Sequence, residues 1–132
     1  MLYPLNVDLT GRLIVVVGGG IVAERKVVGI LAAGERSLVR VIAPAVTTQL
    51  RALADSGRID WHSVRYAHGM LAGAFLVYAA TDCPAVNAEV AAEAEERDIL
   101  VNVIDDPSAS TFQIPSSVRR GDFLLTVSTG GE

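Results

Sequence analysis

With a single cysteine, Cys83, the chain cannot close a disulfide of its own, so its fold has to rest on a packed core. Aromatic residues are also scarce: they make up 5% of the chain, against a hydrophobic fraction of 51%. Val, Ala, Leu and Ile carry nearly all of that fraction, which suits parallel strands buried on both faces. There is no basic surplus. The 11 Lys and Arg against 15 Asp and Glu leave a net charge of −4, which argues against nucleic acid as a partner, since that would call for a basic face. No apolar run approaches the ~18 residues of a membrane span, and no charged-then-apolar leader opens the chain. A cytoplasmic protein without a membrane partner is expected. The 132 residues suit one domain able to bury its own core.

What the chain does have begins at Leu13-Ile14-Val15-Val16-Val17, an apolar run that breaks into Gly18-Gly19-Gly20 and then into helix-forming residues. The spacing Gly18-x-Gly20-x-x-Ala23 fits a dinucleotide fingerprint. In it the first glycine makes a tight turn, the second lets backbone approach a pyrophosphate, and the third small residue lets helix and strand pack closely. A helix opening just after the turn points free N–H groups and the positive end of its dipole at the phosphates.

Strand and helix patterns then alternate. Strands are expected over 13–17, 38–43, 59–64, 75–80 and 99–104, and helices over 22–33, from a Thr47 or Thr48 cap to about 54, and over 85–97. The alternating pattern of 59–64 suits a sheet edge. This order predicts an α/β, Rossmann-like, doubly wound parallel sheet with its ligand crevice at the carboxyl ends of the strands, where Asp105 falls. Two further strands are expected over 110–114 and 123–128, joined through 115–122. The expected division is a dinucleotide-binding domain over 1–109 and a small β segment over 110–132 for dimerisation and substrate binding.

With the glycine turn, the segments Ala79-Ala80-Thr81-Asp82, Asn87, Asn102-Val103-Ile104-Asp105, Phe112-x-Ile114-Pro115-Ser116 and Ser128-Thr129-Gly130-Gly131 follow in order. Together they make the chain, from Tyr3 onward, resemble the dehydrogenase/ferrochelatase module of siroheme synthases. The resemblance implies NAD-dependent oxidation of precorrin-2 to sirohydrochlorin by a homodimer, and many family members also take ferrous iron as a substrate to make siroheme. By position it implies that Gly18, Gly19, Gly20, Ile21 and Val22 hold the pyrophosphate, and that Ala43 and Pro44 lie along the adenosine. It further implies that Thr81 contacts the cofactor and that Asp105 is the catalytic base. Ser116, Arg120, Ser128 and Thr129 would bind the carboxylate side chains of the substrate. No metal-binding residues are implied.

Three departures stand out, the first from the common NAD enzymes, since the family generally lacks that acidic residue too, and the other two from the family pattern. Ala43-Pro44 replaces the acidic residue that commonly binds the ribose 2′-OH, and no Arg is there to clamp a 2′-phosphate, which leaves NAD as the expected cofactor. Arg119 stands where the family has Asp. The sequence stops at Glu132, so the helical tail of the family is expected to be absent and one wall of the substrate pocket left to another chain. Other residues read as structural. Asp106 suits a cap, Cys83 a partly buried thiol, Asn87 a hydrogen-bonding position, and the helix with Glu89, Glu93, Glu95 and Glu96 a solvated face; His62 and His68 lack partners at ligand spacing. A second class of function stays open: an NAD-responsive binding or regulatory module without catalysis of its own.

Overall fold

Ile14, Val15, Val16 and Val17 are all buried, which is possible for consecutive strand residues only when both faces of a sheet are covered. The structure, a computed structural model, describes residues 1–34 and 36–129. It builds β1 (Leu13–Val17), α1 (Ile21–Ala33), β2 (Leu38–Ile42), α2 (Thr48–Asp55), β3 (Asp60–His62), β4 (Leu76–Ala79), α3 (Pro84–Glu96) and β5 (Leu100–Val103). A 3-10 turn, Pro107–Ala109, precedes a hairpin of β6 (Ser116–Arg120) and β7 (Phe123–Val127). The first five strands form one parallel sheet in the order β3-β2-β1-β4-β5, so chain direction across the sheet reverses at β1 and a crevice opens beyond the ends of β1 and β4. β3 is at the edge, as its alternating pattern predicts.

Alternate residues of β1 feed two cores. Ile14 and Val16 pack with Ala23, Val27, Ile30 and Leu31 of α1 and Leu50 of α2, while Val15 and Val17 pack with Val90 and Ala94 of α3. Two of the helices begin for a chemical reason plain in the sequence. α2 is capped by Thr47, whose hydroxyl accepts from the Leu50 amide (3.2 Å), and α3 starts at Pro84, whose fixed φ suits a first helical turn.

Three expectations need correction. Residues 110–114 are not a strand, and β6 falls instead within the stretch read as a connection. Side chains explain the difference. The Ser110 hydroxyl accepts from the Val103 amide (2.8 Å) and the Thr111 hydroxyl from the Val101 amide (2.8 Å), so β5's outer edge is satisfied by hydroxyls in place of a sixth strand. Cys83 is exposed at the start of α3. Glu93, expected on a solvated face, is 1% exposed. Its carboxylate accepts from the Tyr66 hydroxyl, the Gly69 amide (2.9 Å), the Leu71 amide (3.2 Å) and Arg97 Nε (2.7 Å), which pins the β3–β4 connection to α3.

Burial works against ionisation of Glu93, but the hydrogen bonds from Tyr66, Gly69, Arg97 and Leu71 outweigh it and hold the carboxyl below the ordinary glutamate range. Glu93→Ala is expected to cost about 3 kcal/mol in urea denaturation, because the buried Leu71 amide, the Gly69 amide and the Tyr66 phenol lose their acceptor and Arg97 its partner. Exposed Glu95→Ala should stay within about 0.5 kcal/mol. A depressed native pKa means that the Glu93 contribution is full above the ordinary value of 4.5 and is lost as pH falls through the lower native value, so the two variants should converge with the parent chain differently in acid.

Candidate dinucleotide and substrate site

The glycine turn separates into three requirements. Gly18 adopts φ +133°, and a Cβ there would strike the Ala80 carbonyl. A Cβ on Gly19 would strike the Ala45 carbonyl and lie 2.9 Å from Ala43 Cβ. Gly20 has ordinary extended backbone, and a Cβ there would meet nothing within 4 Å. No protein atom therefore excludes a side chain at Gly20; what it would fill is the space in front of the helix. α1 starts at that point with no side-chain cap, leaving the Ile21, Val22 and Ala23 amides without protein acceptors. Three free N–H groups at the positive end of a 13-residue helix, facing space only a glycine keeps open, fit a pyrophosphate. Ala23, the third small residue of the fingerprint, is fully buried between helix and sheet.

The turn is braced from the side. The Thr47 amide donates to the Gly19 carbonyl (3.0 Å), and the Thr47 hydroxyl donates to Glu24 Oε1 (2.7 Å), so the starts of α1 and α2 are tied together. Ala43 is buried under the turn, its amide bonded to the His62 carbonyl (3.2 Å) and its carbonyl to Trp61 Nε1 (2.9 Å). Pro44 is exposed at the rim beside it. At the end of β4, the Thr81 hydroxyl donates to Asn87 Oδ1 (2.6 Å), the Thr81 amide donates to the same oxygen (3.1 Å), and Asn87 Nδ2 donates to the Thr81 carbonyl (3.1 Å). Asn87 is thus the structural residue expected of it. Thr81 shapes the crevice wall with its hydroxyl already engaged.

Asp105 and Asp106 divide their roles. Asp106 Oδ1 caps the 3-10 turn, accepting from the Ala109 amide (3.3 Å) and the Ser108 hydroxyl (2.6 Å). Asp105, exposed and held at φ +56°, has no such partner, and its carboxylate is available to a ligand. A left-handed conformation at a residue other than glycine costs energy, so the turn that presents Asp105 is held by the structure around it. Asp105 lines an open cleft of about 200 Å³ with Lys26, Asn102, Ser110, Gln113 and Ile114. Lys26 and Gln113 are residues that sequence reasoning missed. Lys26 stands one turn beyond Ala23 on the flank of the buried α1 stripe, a spacing that could have marked it as facing the sheet.

Of the proposed substrate residues, the hairpin gathers Ser116, Ser128 and Thr129 at its open end, since Ser116 pairs with Val127. Arg120 pairs with Phe123 at the turn, about 13 Å from Ser116 along the strand. Gly130 and Gly131 lie outside the described residues. A larger groove of about 410 Å³ runs between α1 and α2, lined by Val28, Leu31, Gln49, Leu53 and Arg58. It sits by the negative end of α1 and away from the carboxyl ends of the strands, so it does not suit an anionic dinucleotide. Among the described residues no group of three or more His, Cys, Asp or Glu could hold a metal ion, and no helix is long and apolar enough to cross a membrane. His62 pairs with Asp60 and His68 with Glu96 on the surface.

A parallel sheet with a three-glycine turn and an uncapped helix at its switch point defines a dinucleotide-binding domain of the Rossmann type. The chain belongs to the family described as "Putative NAD(P)-binding", whose model matches residues 5–116. It is 40% identical over 129 residues to a siroheme synthase of Photorhabdus laumondii and 42% identical over 129 residues to siroheme synthase 1 of Aeromonas salmonicida, with 98% of this chain covered in each case. The chain spans 27% of the length of these relatives. In three dimensions it is similar to SirC, a precorrin-2 dehydrogenase, with a TM-score of 0.85 and 31% identity, covering 99% of this chain and 64% of that one.

The three glycines should respond differently to alanine. Gly20→Ala is expected to leave the melting temperature unchanged while weakening NAD at least about tenfold in titration calorimetry, because its methyl group enters only the ligand space. Gly18→Ala and Gly19→Ala should destabilise the fold itself, by about 2 kcal/mol or more, since backbone carbonyls occupy the methyl positions. Equal loss of stability in all three would contradict the cradle.

Proposed function

We propose that the chain oxidises precorrin-2 to sirohydrochlorin with NAD, in siroheme biosynthesis. The reading is carried by Asp105, an unpartnered carboxylate at the carboxyl end of β5 in the strand-end segment that matches the siroheme synthase pattern. The oxidation removes a hydride and a proton from the reduced macrocycle. NAD, when bound, supplies the hydride acceptor. The Ile21 and Val22 amides would hold its pyrophosphate at the Gly18-Gly19-Gly20 turn, and Ala43 and Pro44 would contact its adenosine. Asp105 takes the proton at a carboxylate oxygen, as a base within reach of the substrate. The same carboxylate would accept pyrrole N–H protons if ferrous iron, as a substrate, enters the ring.

Residues 1–109 are assigned to cofactor binding, and 110–132 to dimerisation and substrate contact through Ser116, Arg120, Ser128 and Thr129. What supports dimerisation is the hairpin face. Val118, Phe123, Leu125 and Val127 lie on one side of the β6–β7 ladder and all are more than half exposed. A two-stranded ribbon is marginal by itself, so a partner covering this face stabilises it. The assigned compartment is the cytoplasm.

Asp105→Ala is expected to leave NAD affinity within about threefold and to lower NADH formation from precorrin-2 by about 100-fold or more. Asp106→Ala should retain most of the rate. An unmutated chain that binds NAD but forms no NADH with precorrin-2 would overturn catalysis and favour the NAD-responsive binding module. NADP should bind more weakly than NAD, since no cation stands at Ala43-Pro44, and equal affinities would contradict that cofactor choice. In light scattering, Leu125→Asp should convert a dimer to a monomer; a parent chain already monomeric at micromolar concentration removes the dimer reading.

A further inference from the structure

The cleft beside Asp105 is lined by two acidic residues and by one cation, Lys26. Lys26 is half-buried on α1, and its Nζ sits 5.7 Å from the centre of the Tyr78 ring. Tyr78 is itself fixed, 4% exposed and in edge contact with Phe112 at 5.6 Å between ring centres. The aromatic face holds the ammonium in place without using any of its three N–H donors. No carboxylate uses them either. Among the described residues the ion pairs are Arg40–Asp60, His62–Asp60, His68–Glu96 and Arg97–Glu93, and Lys26 is in none of them.

The Lys26 ammonium, in no ion pair among the described residues, has N–H donors that an anion entering the cleft can take up. Asp105 and Asp106 would repel a polycarboxylate, so a ligand of that class needs a compensating cation on the cleft wall. The placement on α1 is specific. The first turn of this helix offers backbone N–H groups to the glycine cradle, and Lys26, one turn later, faces the adjoining cleft instead.

We propose that Lys26 binds a carboxylate side chain of the tetrapyrrole and so sets the orientation of the macrocycle against Asp105. It is a specificity-determining residue that acts by binding, and the assignment rests on the precorrin-2 reading above. Lys26→Met keeps an apolar stem against Tyr78 and removes the charge, while Lys26→Arg keeps the charge. Sirohydrochlorin binding is read from the absorbance of the macrocycle, NAD binding by calorimetry, and folding by thermal denaturation.

Lys26→Met is expected to raise the Kd for sirohydrochlorin about tenfold or more at low salt and to flatten its salt dependence, with NAD affinity and melting temperature unchanged; Lys26→Arg should restore binding to within about threefold. If Lys26→Met fails to fold, Lys26→Gln takes its place with the same expectation. An unchanged Kd in a folded, uncharged variant, beside normal binding by the parent chain, overturns the Lys26 assignment and leaves the dehydrogenase reading standing. Loss of NAD affinity with sirohydrochlorin affinity intact also overturns it, by giving the ammonium to the cofactor. A parent chain that binds NAD but no sirohydrochlorin overturns both readings.

Discussion

Two backbone carbonyls, those of Ala80 and Ala45, occupy the positions where side chains at 18 and 19 would begin. That close approach lets β1 end against both of its neighbours: Gly18 donates to the Ile42 carbonyl at 3.0 Å, and Ala80 donates to the Val17 carbonyl at 2.8 Å. Strand ends drawn together in this way leave α1 nowhere to begin except directly over the crevice. Because Gly20 carries no side chain, the helix begins uncapped. The free amides thus follow from the glycine at 20, at a helix start whose position is set by the packing at 18 and 19, and a larger residue at Gly18 or Gly19 would move the helix start before it blocked a ligand.

Polar residues inside α3 hold the two ends of β4, and Asn87 does so beside the site. Asn87 takes the Thr81 amide, hydroxyl and carbonyl and so sets the end of β4, while Glu93 gathers the Gly69 and Leu71 amides and sets the approach to it. On the outer side, Ser110 and Thr111 close the edge of β5, which fixes the turn carrying Asp105 between that edge and the capped 3-10 turn. An exposed carboxylate is therefore presented from a segment whose neighbours are all bonded. Such support gives a side chain a defined position without burying it.

The sheet was legible because its signals are local and consistent. β1 is a buried apolar run, Thr47 is an N-cap and Pro84 begins a helix, and each occurs where sequence chemistry predicts. Asp106 as a cap and Asn87 as a structural residue were legible from residue type and place. Glu93 was not, since nothing in an Ala- and Glu-rich helix distinguishes the one glutamate that faces two amides 22 and 24 residues away. The segment after Asp105 misled for a related reason: Ser and Thr suit either a strand or a hydroxyl-capped edge, and only the location of β5 decides. Lys26 went unmarked because a lysine in a helix is ordinary until Tyr78 and Asp105 are placed beside it.

Amide chemical shifts during an NAD titration test the central claim most directly, since each backbone N–H reports its own surroundings. If the uncapped start of α1 is the pyrophosphate site, the largest changes fall on Gly20, Ile21 and Val22, with smaller ones at Thr81 and Asp105. Changes concentrated instead at Val28, Leu53 and Arg58, around the groove between α1 and α2, would contradict it.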